Sequence, residues 1–438
     1  MTGSTIAAIA TPAGRGGVSI IRISGPGARQ AALCVSQPEL ELVPRTALLC
    51  VWHDAAGEVL DSGILLYFPA PHSYTGEDVV ELQGHGSPIL MRALLGRLFD
   101  LGCKPAEPGE FTRRAVENSK MDLSQAEAVA ACIDAATLRA GKQAQRQLSG
   151  EFGRQIEGLM QRLTGLVAHV EATLDFPEED IPDLYFSRLK EDMEVQVTGP
   201  VRRLLASAPL GERLFDGATV AIIGAPNVGK SSLLNILAGH DRAIVSDVPG
   251  TTRDVLEVDF EVHGIPVRLT DTAGLRSSDD TIEQEGVRRA VRAAEQADAV
   301  ILVSDATRPE TWNEHKHADL YLMNKMDMAT EEIPRRYLPV SVRDNRGIDV
   351  LRDQLASRLG DIDLSEEAVL VTRERHRQAL QDAMELIENG LHMLGRESEL
   401  DLVAMDWRRA WSSFGSILGI GDVEYILDRV FAEFCIGK

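Results

Sequence analysis

The sequence predicts a multidomain protein: a small α+β domain at the N-terminus, then an α-helical bundle domain into which an α/β domain with a mainly parallel sheet is inserted. Three observations carry this prediction. Residues 1–118 hold short β-rich runs punctuated by Gly and Pro. Apolar residues recur at spacings of three and four from Leu148 to Leu174, and again from Leu380 to Leu394. Between those helical regions, short apolar runs alternate with helical stretches such as 287–295, as parallel strands with crossover helices require.

In chain order, the runs 18–23, 64–68 and 79–82 read as strands, with a helix near 90–98. Ser124-x-x-Glu127 then fits a capping box. Leu148, Phe152, Ile156, Leu159, Leu163, Leu166, Val170 and Leu174 lay one apolar stripe along a helix. The pattern fades in the acidic, Pro-containing stretch 175–183 and resumes to about residue 208. Past the inserted domain, Leu380, Met384, Ile387, Leu391 and Leu394 repeat it. Trp407 and Trp411, four apart, read as bundle core rather than a base-stacking platform. The resulting boundaries are 1–118 for the α+β domain, 119–214 with 363–438 for the helical domain, and 215–362 for the insert.

The insert opens on Gly224-Ala225-Pro226-Asn227-Val228-Gly229-Lys230-Ser231, a G-x-x-x-x-G-K-S loop between the apolar run 220–223 and a helical pattern with Leu233, Leu234, Ile236 and Leu237. Glycines let backbone N–H groups turn inward around a phosphate, and the helix start adds partial positive charge. Lys230 would reach the terminal phosphates and the Ser231 hydroxyl Mg2+, with Asn227, Val228, Gly229 and Ser232 completing the loop. Asp271-Thr272-Ala273-Gly274 follows a strand-like run, so its carboxylate can hold Mg2+ through water and its glycine can offer N–H to a γ-phosphate. Asn324-Lys325-Met326-Asp327 follows the run 320–323. This N-K-x-D pattern reads guanine, because a carboxylate accepts from both N1–H and N2–H of guanine and finds no such donor pair on adenine. Ser341-Val342-Arg343 stands where guanine-binding proteins usually carry S-A-K, with two of three residues changed. In Gly250-Thr251-Thr252-Arg253-Asp254, one threonine would complete the Mg2+ shell while a γ-phosphate is present. The expected fold of the insert is therefore a Ras-like G domain that binds GTP.

Hydrolysis needs a group other than the usual glutamine. Leu275 follows Gly274 and cannot orient water. Glu283 is a candidate in the polar segment after it, although by position alone a solvated acid at a helix start is the better reading.

G-A-P-N-V-G-K-S, G-T-T-R-D, D-T-A-G-L-R and N-K-M-D together resemble the TrmE/Era/Der class of bacterial GTPases. The ends of the chain narrow this further. The segment IAAIATPAGRGGVSIIRISG from Ile6, S-Y-T-G-E-D from Ser73, E-L-Q-G-H-G from Glu81, P-G-E-F-T from Pro108, K-M-D-L from Lys120, the Asp175-Phe176-Pro177 element and the terminal Phe434-Cys435-Ile436-Gly437-Lys438 resemble the MnmE (TrmE) family from end to end. That family is the GTPase half of a tRNA wobble-uridine modification system.

The resemblance implies sites, residue by residue. Asn227 and the loop containing Ser246, Val248 and Thr251 would bind K+ beside the nucleotide, where a cation supplies the charge of an arginine finger. Ser246 departs from an expected threonine. Ser231 and Thr252 would hold Mg2+, Glu283 matches the catalytic glutamate, and Arg276 belongs to the same switch. Arg22, Glu81, Lys120 and Lys438 match folate-binding positions, suited to a pterin edge and a glutamate tail. Cys435 is open between a chemical role and packing of the tail, and Gly437-Lys438 are wrong for a prenylation signal. Implied cofactors are GTP, Mg2+, K+ and 5,10-methylene- or 5-formyl-tetrahydrofolate. The implied partners are a second copy of the chain, tRNA, and the flavoprotein MnmG (GidA) carrying FAD and NADH.

Composition adds constraints. At 438 residues there is room for about three domains, and 44% hydrophobic with 26% charged residues suits a soluble globular protein. No run of eighteen apolar residues and no cleavable signal appears, and Cys34, Cys50, Cys103, Cys132 and Cys435 form no C-x-x-C pair, which points to reduced thiols in a cytoplasm and no membrane. A net charge of −22 argues against a protein that mainly grips nucleic acid, so tRNA is expected to be held by a more basic partner. Arg113-Arg114, Arg202-Arg203, Arg373 with Arg375 and Arg377, and Arg408-Arg409 read as solvated helix faces. The expected function is K+-stimulated GTP hydrolysis in placing a carboxymethylaminomethyl or aminomethyl group on C5 of the wobble uridine. The rivals are a ribosome-assembly GTPase of Era or Der type, which predicts a basic RNA-binding domain and no folate, and a membrane-signalling GTPase, which needs an anchor.

Overall fold

The computed structural model describes residues 3–36, 41–175, 183–240, 257–271, 293–308, 318–329, 332–360, 368–421, 424–432 and 434–437. Contacts divide the chain into two compact units. The first comprises Met1–Ala130, Leu148–Ile156 and Gly415–Lys438; the second comprises Ala131–Gln147 and Glu157–Phe414.

The first unit is built on a six-stranded sheet. In chain order its strands are β1 (Ile6–Ile9), β2 (Gly16–Ser24), β3 (Leu48–His53), β4 (Val59–Phe68), β5 (Val79–Gly86) and β6 (Lys104–Pro105), arranged β3-β4-β5-β2-β1-β6. All pairs are antiparallel except β1 with β6. Helices α1 (Ala28–Val35) and α2 (Pro88–Asp100) bury Ala32, Val35, Leu94 and Leu98 against Ile21, Ile23, Leu65 and Leu82 of one sheet face. The period of two then turns Arg22 and Glu81 toward the opposite face, directly across from each other in register. The expected strands at 18–23, 64–68 and 79–82 and the helix at 90–98 are present, each longer than its apolar run.

Helix α3 (Glu110–Glu117) and the start of α4 (Leu123–Asp134) complete this unit with the C-terminal tail. The capping box forms two residues earlier than the sequence suggests. Asp122 Oδ1 accepts from Gln125 N at 2.8 Å and from Ser124 Oγ at 2.6 Å, while Asp122 N donates to Gln125 Oε1 at 3.0 Å. Asp122 caps, and Ser124 sits inside the first turn. At Gly109 (φ 65°) a Cβ would lie 2.8 Å from Phe431 and 3.0 Å from Phe434 Cβ, so glycine lets the tail approach. Pro108 and Ile436 form an antiparallel bridge there.

The second unit holds, wholly or for the greater part, most of the described helices: α5 (Leu138–Leu148), α6 (Glu151–Asp175, from Glu157 onward), α7 (Asp183–Met193), a π-helical turn Glu194–Thr198, α8 (Gly199–Asp216), and after the insert α11 (Glu374–Met393) and α12 (Leu400–Leu418, to Phe414). On α6 the predicted stripe is the buried one: Leu159, Leu163, Leu166 and Val170 are all at least nine-tenths buried, each worth about 1.5–3 kcal/mol by leaving water. Trp407 is core, its Nε1 donating to Ile387 O at 3.3 Å, whereas Trp411 is half-buried. Most of the acidic stretch 175–183 lies outside the described residues. Described helix runs past residue 208 to Asp216.

The insert is the predicted α/β domain. Strands β7 (Ala218–Ile223), β8 (Glu257–Val262), β9 (Ile265–Asp271), β10 (Ala299–Asp305), β11 (Leu320–Asn324) and β12 (Leu338–Pro339) lie in the order β12-β11-β10-β7-β9-β8. Only β8 is antiparallel to its neighbour. Helices α9 (Lys230–His240) and α10 (Ile348–Arg358) belong to it; the helical stretch expected at 287–295 is described only from 293. The apolar core does not stop at residue 215. Ala140 of α5 and Leu210 and Leu214 of α8 share one buried cluster with Val220, Ile222, Leu269, Ile301 and Leu351. Thr137 Oγ1 donates to Gly264 O at 2.7 Å and Arg139 Nη1 to His263 O at 2.9 Å, so helical-domain residues grip the β8–β9 turn.

Candidate functional site

β7, β10 and β11 end side by side, and the loops leaving them converge. Gly224 (φ 147°) has no room for a side chain, since a Cβ would lie 2.2 Å from Val303 O. At Gly229 (φ 103°) a Cβ would lie 2.3 Å from Asn324 Nδ2. Two of the motif's glycines are therefore required by backbone shape and by close approach of a neighbouring strand. Lys230, at the start of α9, is 8% exposed and its Nζ donates to Gly224 O at 2.8 Å and Ala225 O at 2.9 Å. Ser231 and Ser232 follow it, both exposed.

The guanine-type motif is joined directly to this loop. Asn324, 3% exposed, donates through Nδ2 to Val228 O at 2.9 Å, and its Oδ1 accepts from Val342 N at 3.2 Å. Lys325 (φ 63°) donates through Nζ to Asn227 O at 3.0 Å. Asp327 Oδ1 accepts from Ser341 Oγ at 2.9 Å. The Ser341-Val342-Arg343 variant thus still supports both Asn324 and Asp327, because one contact uses the retained serine and the other a backbone N–H. Arg343 is 80% exposed and stands 3.9 Å from Asp327.

Sequence reasoning missed Asp305. It ends β10, is buried, and its Oδ2 accepts from Lys325 Nζ at 2.5 Å. Burial pushes its carboxyl up, but hydrogen bonds from Lys325 and Thr307 outweigh that and hold it below the ordinary value. The available signal was an acid closing a strand that is apolar from Ala299 to Val303.

Several predicted positions cannot be placed in this geometry. Ser246, Val248, Thr251, Thr252, Thr272, Ala273, Gly274, Arg276 and Glu283 lie outside the described residues. The backbone of Asp271 ends β9 opposite Ile222 of β7, one residue before the loop.

The antiparallel sheet carries a second candidate site. Arg22 donates through Nε (3.0 Å) and Nη2 (2.9 Å) to Glu81 Oε1, with the side chains 17% and 15% exposed. The guanidinium carbon lies 5.2 Å from the Tyr74 ring centre and 5.7 Å from that of Phe111. Two motifs of the first domain meet beside it: Arg114 donates to Glu77 Oε2 at 3.1 Å and to Glu110 Oε1 at 2.8 Å, joining S-Y-T-G-E-D to P-G-E-F-T. Lys120 is exposed and donates to Pro71 O at 3.0 Å; Lys438 is not among the described residues. Cys435 is exposed, and the tail is packed by Phe434, whose ring centre lies 5.2 Å from that of Phe431 at a tilt of 55°.

The basic clusters are largely neutralised. Arg113 pairs with Glu117 and Asp428, Arg202 with Glu194 and Glu388, Arg377 with Glu212 and Glu374, Arg408 with Glu171, and Arg409 with Asp406. Among the described residues no helix is long and apolar enough to cross a membrane.

Two stretches of the chain match known family descriptions. Residues 5–120 match the family description "GTP-binding protein TrmE N-terminus", and residues 123–435 match "MnmE helical domain". The tRNA modification GTPase MnmE of Pseudomonas entomophila is 43% identical over 457 residues, covering 99% of each chain. Those of Pseudomonas fluorescens and Dichelobacter nodosus are 42% and 43% identical, again over 99% of each chain. The FeoB G-domain of Methanococcus jannaschii aligns with 33% of this chain and 98% of its own at 25% identity, with a TM-score of 0.26, too low to bear on the fold. With both family descriptions matched and relatives above 40% identity from end to end, this chain belongs to the MnmE (TrmE) family.

Proposed function

We propose that this chain is a K+-stimulated GTP hydrolase that acts, as a homodimer and with the flavoprotein MnmG, in modifying C5 of the wobble uridine of tRNA in the cytoplasm. The carrying observation is the union of the two nucleotide motifs: Asn324 and Lys325 donate to the carbonyls of Val228 and Asn227, so guanine-reading and phosphate-holding elements form one rigid body. Asp327, steadied by Ser341, would accept from the guanine N1–H and N2–H. The glycines at 224 and 229 and the start of α9 fit a phosphate, and Lys230 is placed to turn from the loop carbonyls to the β- and γ-phosphates.

Ser231, Thr252 and, through water, Asp271 would hold Mg2+; Asn227 with Ser246, Val248 and Thr251 would hold K+. These cations supply positive charge where it develops on the transferred phosphoryl group. Glu283 orients the attacking water in place of the missing glutamine, and Arg276 shares its switch, when two G domains meet.

Arg22 and Glu81, on the sheet face opposite α1 and α2, would bind the pterin end of a tetrahydrofolate, with Lys120 and Lys438 serving its glutamate tail. A 5,10-methylene- or 5-formyl-tetrahydrofolate held there would supply the one-carbon unit of the carboxymethylaminomethyl or aminomethyl group. FAD and NADH belong to the partner, which also carries most of the tRNA contact, in keeping with a net charge of −22 and the paired arginines. The domain boundaries 1–118, 119–214 with 363–438, and 215–362 give the insert helices on both flanks. Contact between G domains is passed through these helices.

GTP hydrolysis measured in KCl and in NaCl at equal ionic strength, in wild type and Glu283→Ala, tests this reading. Faster turnover in KCl that is lost in the variant is expected. Equal rates in both salts with Glu283 dispensable would favour a binding-only GTPase of Era or Der type. Unchanged FRET between helical domains in every nucleotide state would remove the lever.

A further inference from the structure

We infer that Asp305 is a positioning residue of the guanine-nucleotide site, holding the Lys325 ammonium against the phosphate loop so that the site is assembled before nucleotide arrives. This rests on the guanine reading above and extends it to a residue outside the nucleotide motifs.

Asp305 has both carboxylate oxygens engaged. Oδ1 accepts from Thr307 N at 2.9 Å and Thr307 Oγ1 at 2.7 Å, and Oδ2 accepts from Lys325 Nζ at 2.5 Å. The side chain is 1% exposed, against 30% for Lys325. The same ammonium donates to Asn227 O, so one proton-rich group bridges β10 to the phosphate loop. Asp305 also lies opposite Asn324 in the β10–β11 register, and Ala306 N donates to Asn324 O at 2.9 Å. The end of β10 therefore holds Asn324 by its backbone and Lys325 by its side chain.

Two physical consequences separate positioning from a merely structural ion pair. A lysine stem has several rotatable bonds, and ordering it at the moment of binding weakens affinity; a partner that orders it beforehand removes that cost. Thr307, by filling the other oxygen, leaves the carboxylate only one orientation. The gain appears in binding of GDP and GTP alike, since both meet Lys325 and the loop in the same way. It therefore falls on Kd and KM more than on kcat.

The experiment is a double-mutant cycle on the full chain, read by titration with a fluorescent mant-GDP. Asp305→Asn keeps the shape and an acceptor for Thr307 but loses the anion. Its expected effect is about tenfold weaker mant-GDP binding and a similar rise in KM for GTP, with a smaller change in kcat. In a Lys325→Met background Asp305→Asn should add nothing further. Asp305→Glu, which keeps the charge, should bind more tightly than Asp305→Asn. Binding by Asp305→Asn as tight as wild type, an undiminished effect in the Lys325→Met background, or equal loss in Asn and Glu variants would each overturn the role. If Asp305→Asn does not fold, Thr307→Val is read the same way, with weakened mant-GDP binding expected and unchanged binding overturning it. Should ATP displace mant-GDP from the wild type as well as GDP does, the guanine reading itself fails. If wild type prefers guanine and Asp305→Asn is indistinguishable from it, only the positioning role fails.

Discussion

The two six-stranded sheets of this chain place charge in different ways. In the antiparallel sheet, Arg22 and Glu81 face each other from the middle of neighbouring strands. In the mostly parallel sheet, Asp305, Asn324 and Lys325 stand at or just beyond strand ends. The reason is visible in the strands. Along β5, Val80, Leu82 and Gly84 are buried while, past the buried Val79, Glu81 and Gln83 are half-buried and His85 is exposed, so the second face is only partly covered by apolar side chains. All seven residues of β10 are buried. A parallel strand covered on both faces has no mid-strand position for a ligand-facing charge, and its chemistry moves to the carboxyl end. The first arrangement suits a planar ligand lying across a sheet; the second suits a phosphate chain lying over loop N–H groups.

Substitutions at four positions and a pH profile would break or sharpen this contrast. The largest effect is expected for Lys230→Ala, which should lower GTP hydrolysis about 10²–10³-fold by phosphate-release assay. Binding of 5-formyl-tetrahydrofolate by calorimetry should be unchanged; a joint loss would mean that the two sheets do not carry separable sites. Next is Arg22→Ala. It leaves Glu81 without its cation at 15% exposure and should weaken the folate analogue by about ten- to a hundredfold. Arg22→Lys should rescue little, because Nε and Nη2 both reach one oxygen of Glu81.

Ser341→Ala removes a buried donor to Asp327 and should weaken mant-GDP binding by about fivefold, whereas Arg343→Ala should stay within about twofold because its ion pair is long and solvated. A larger effect at Arg343 than at Ser341 would reverse the assignment of that turn.

The smallest effect is in pH. The Asp305 carboxyl is held below its ordinary value, so its stabilisation is fully present above the unfolded carboxylate range and is lost as pH falls through the depressed value. The melting-temperature gap between wild type and Asp305→Asn should be flat from neutral pH down to about 5 and close below about 4. A gap that instead closes between pH 6 and about 8 would point to a different titrating group.

The strand-and-loop settings of the two motifs were legible from residues alone, because each motif is local. The loop 224–231 and Asn324 to Asp327 each follow a short apolar run that is itself a strand, β7 and β11. Where local rules competed, the outcome was less legible. Asp122 and Ser124 both suit a helix start, and the aspartate won because it lies immediately before the first helical residue. Arg22 and Glu81 are 59 residues apart and were named only through the family resemblance. Nothing in their own neighbourhoods marks them as a pair.

Local spacing and residue type thus settled the fold class, the strand–loop–helix setting of the phosphate loop and the guanine-type motif, since backbone conformation and amphipathic period act over a few residues. Packing alone chose the side-chain partners: which acid meets Lys325, which arginine meets Glu81, and how far the core of the insert reaches into α5 and α8. Those pairings depend on strand order and register, and a carboxylate buried at the end of β10 acquires its meaning only when the neighbouring strand brings a cation within 2.5 Å.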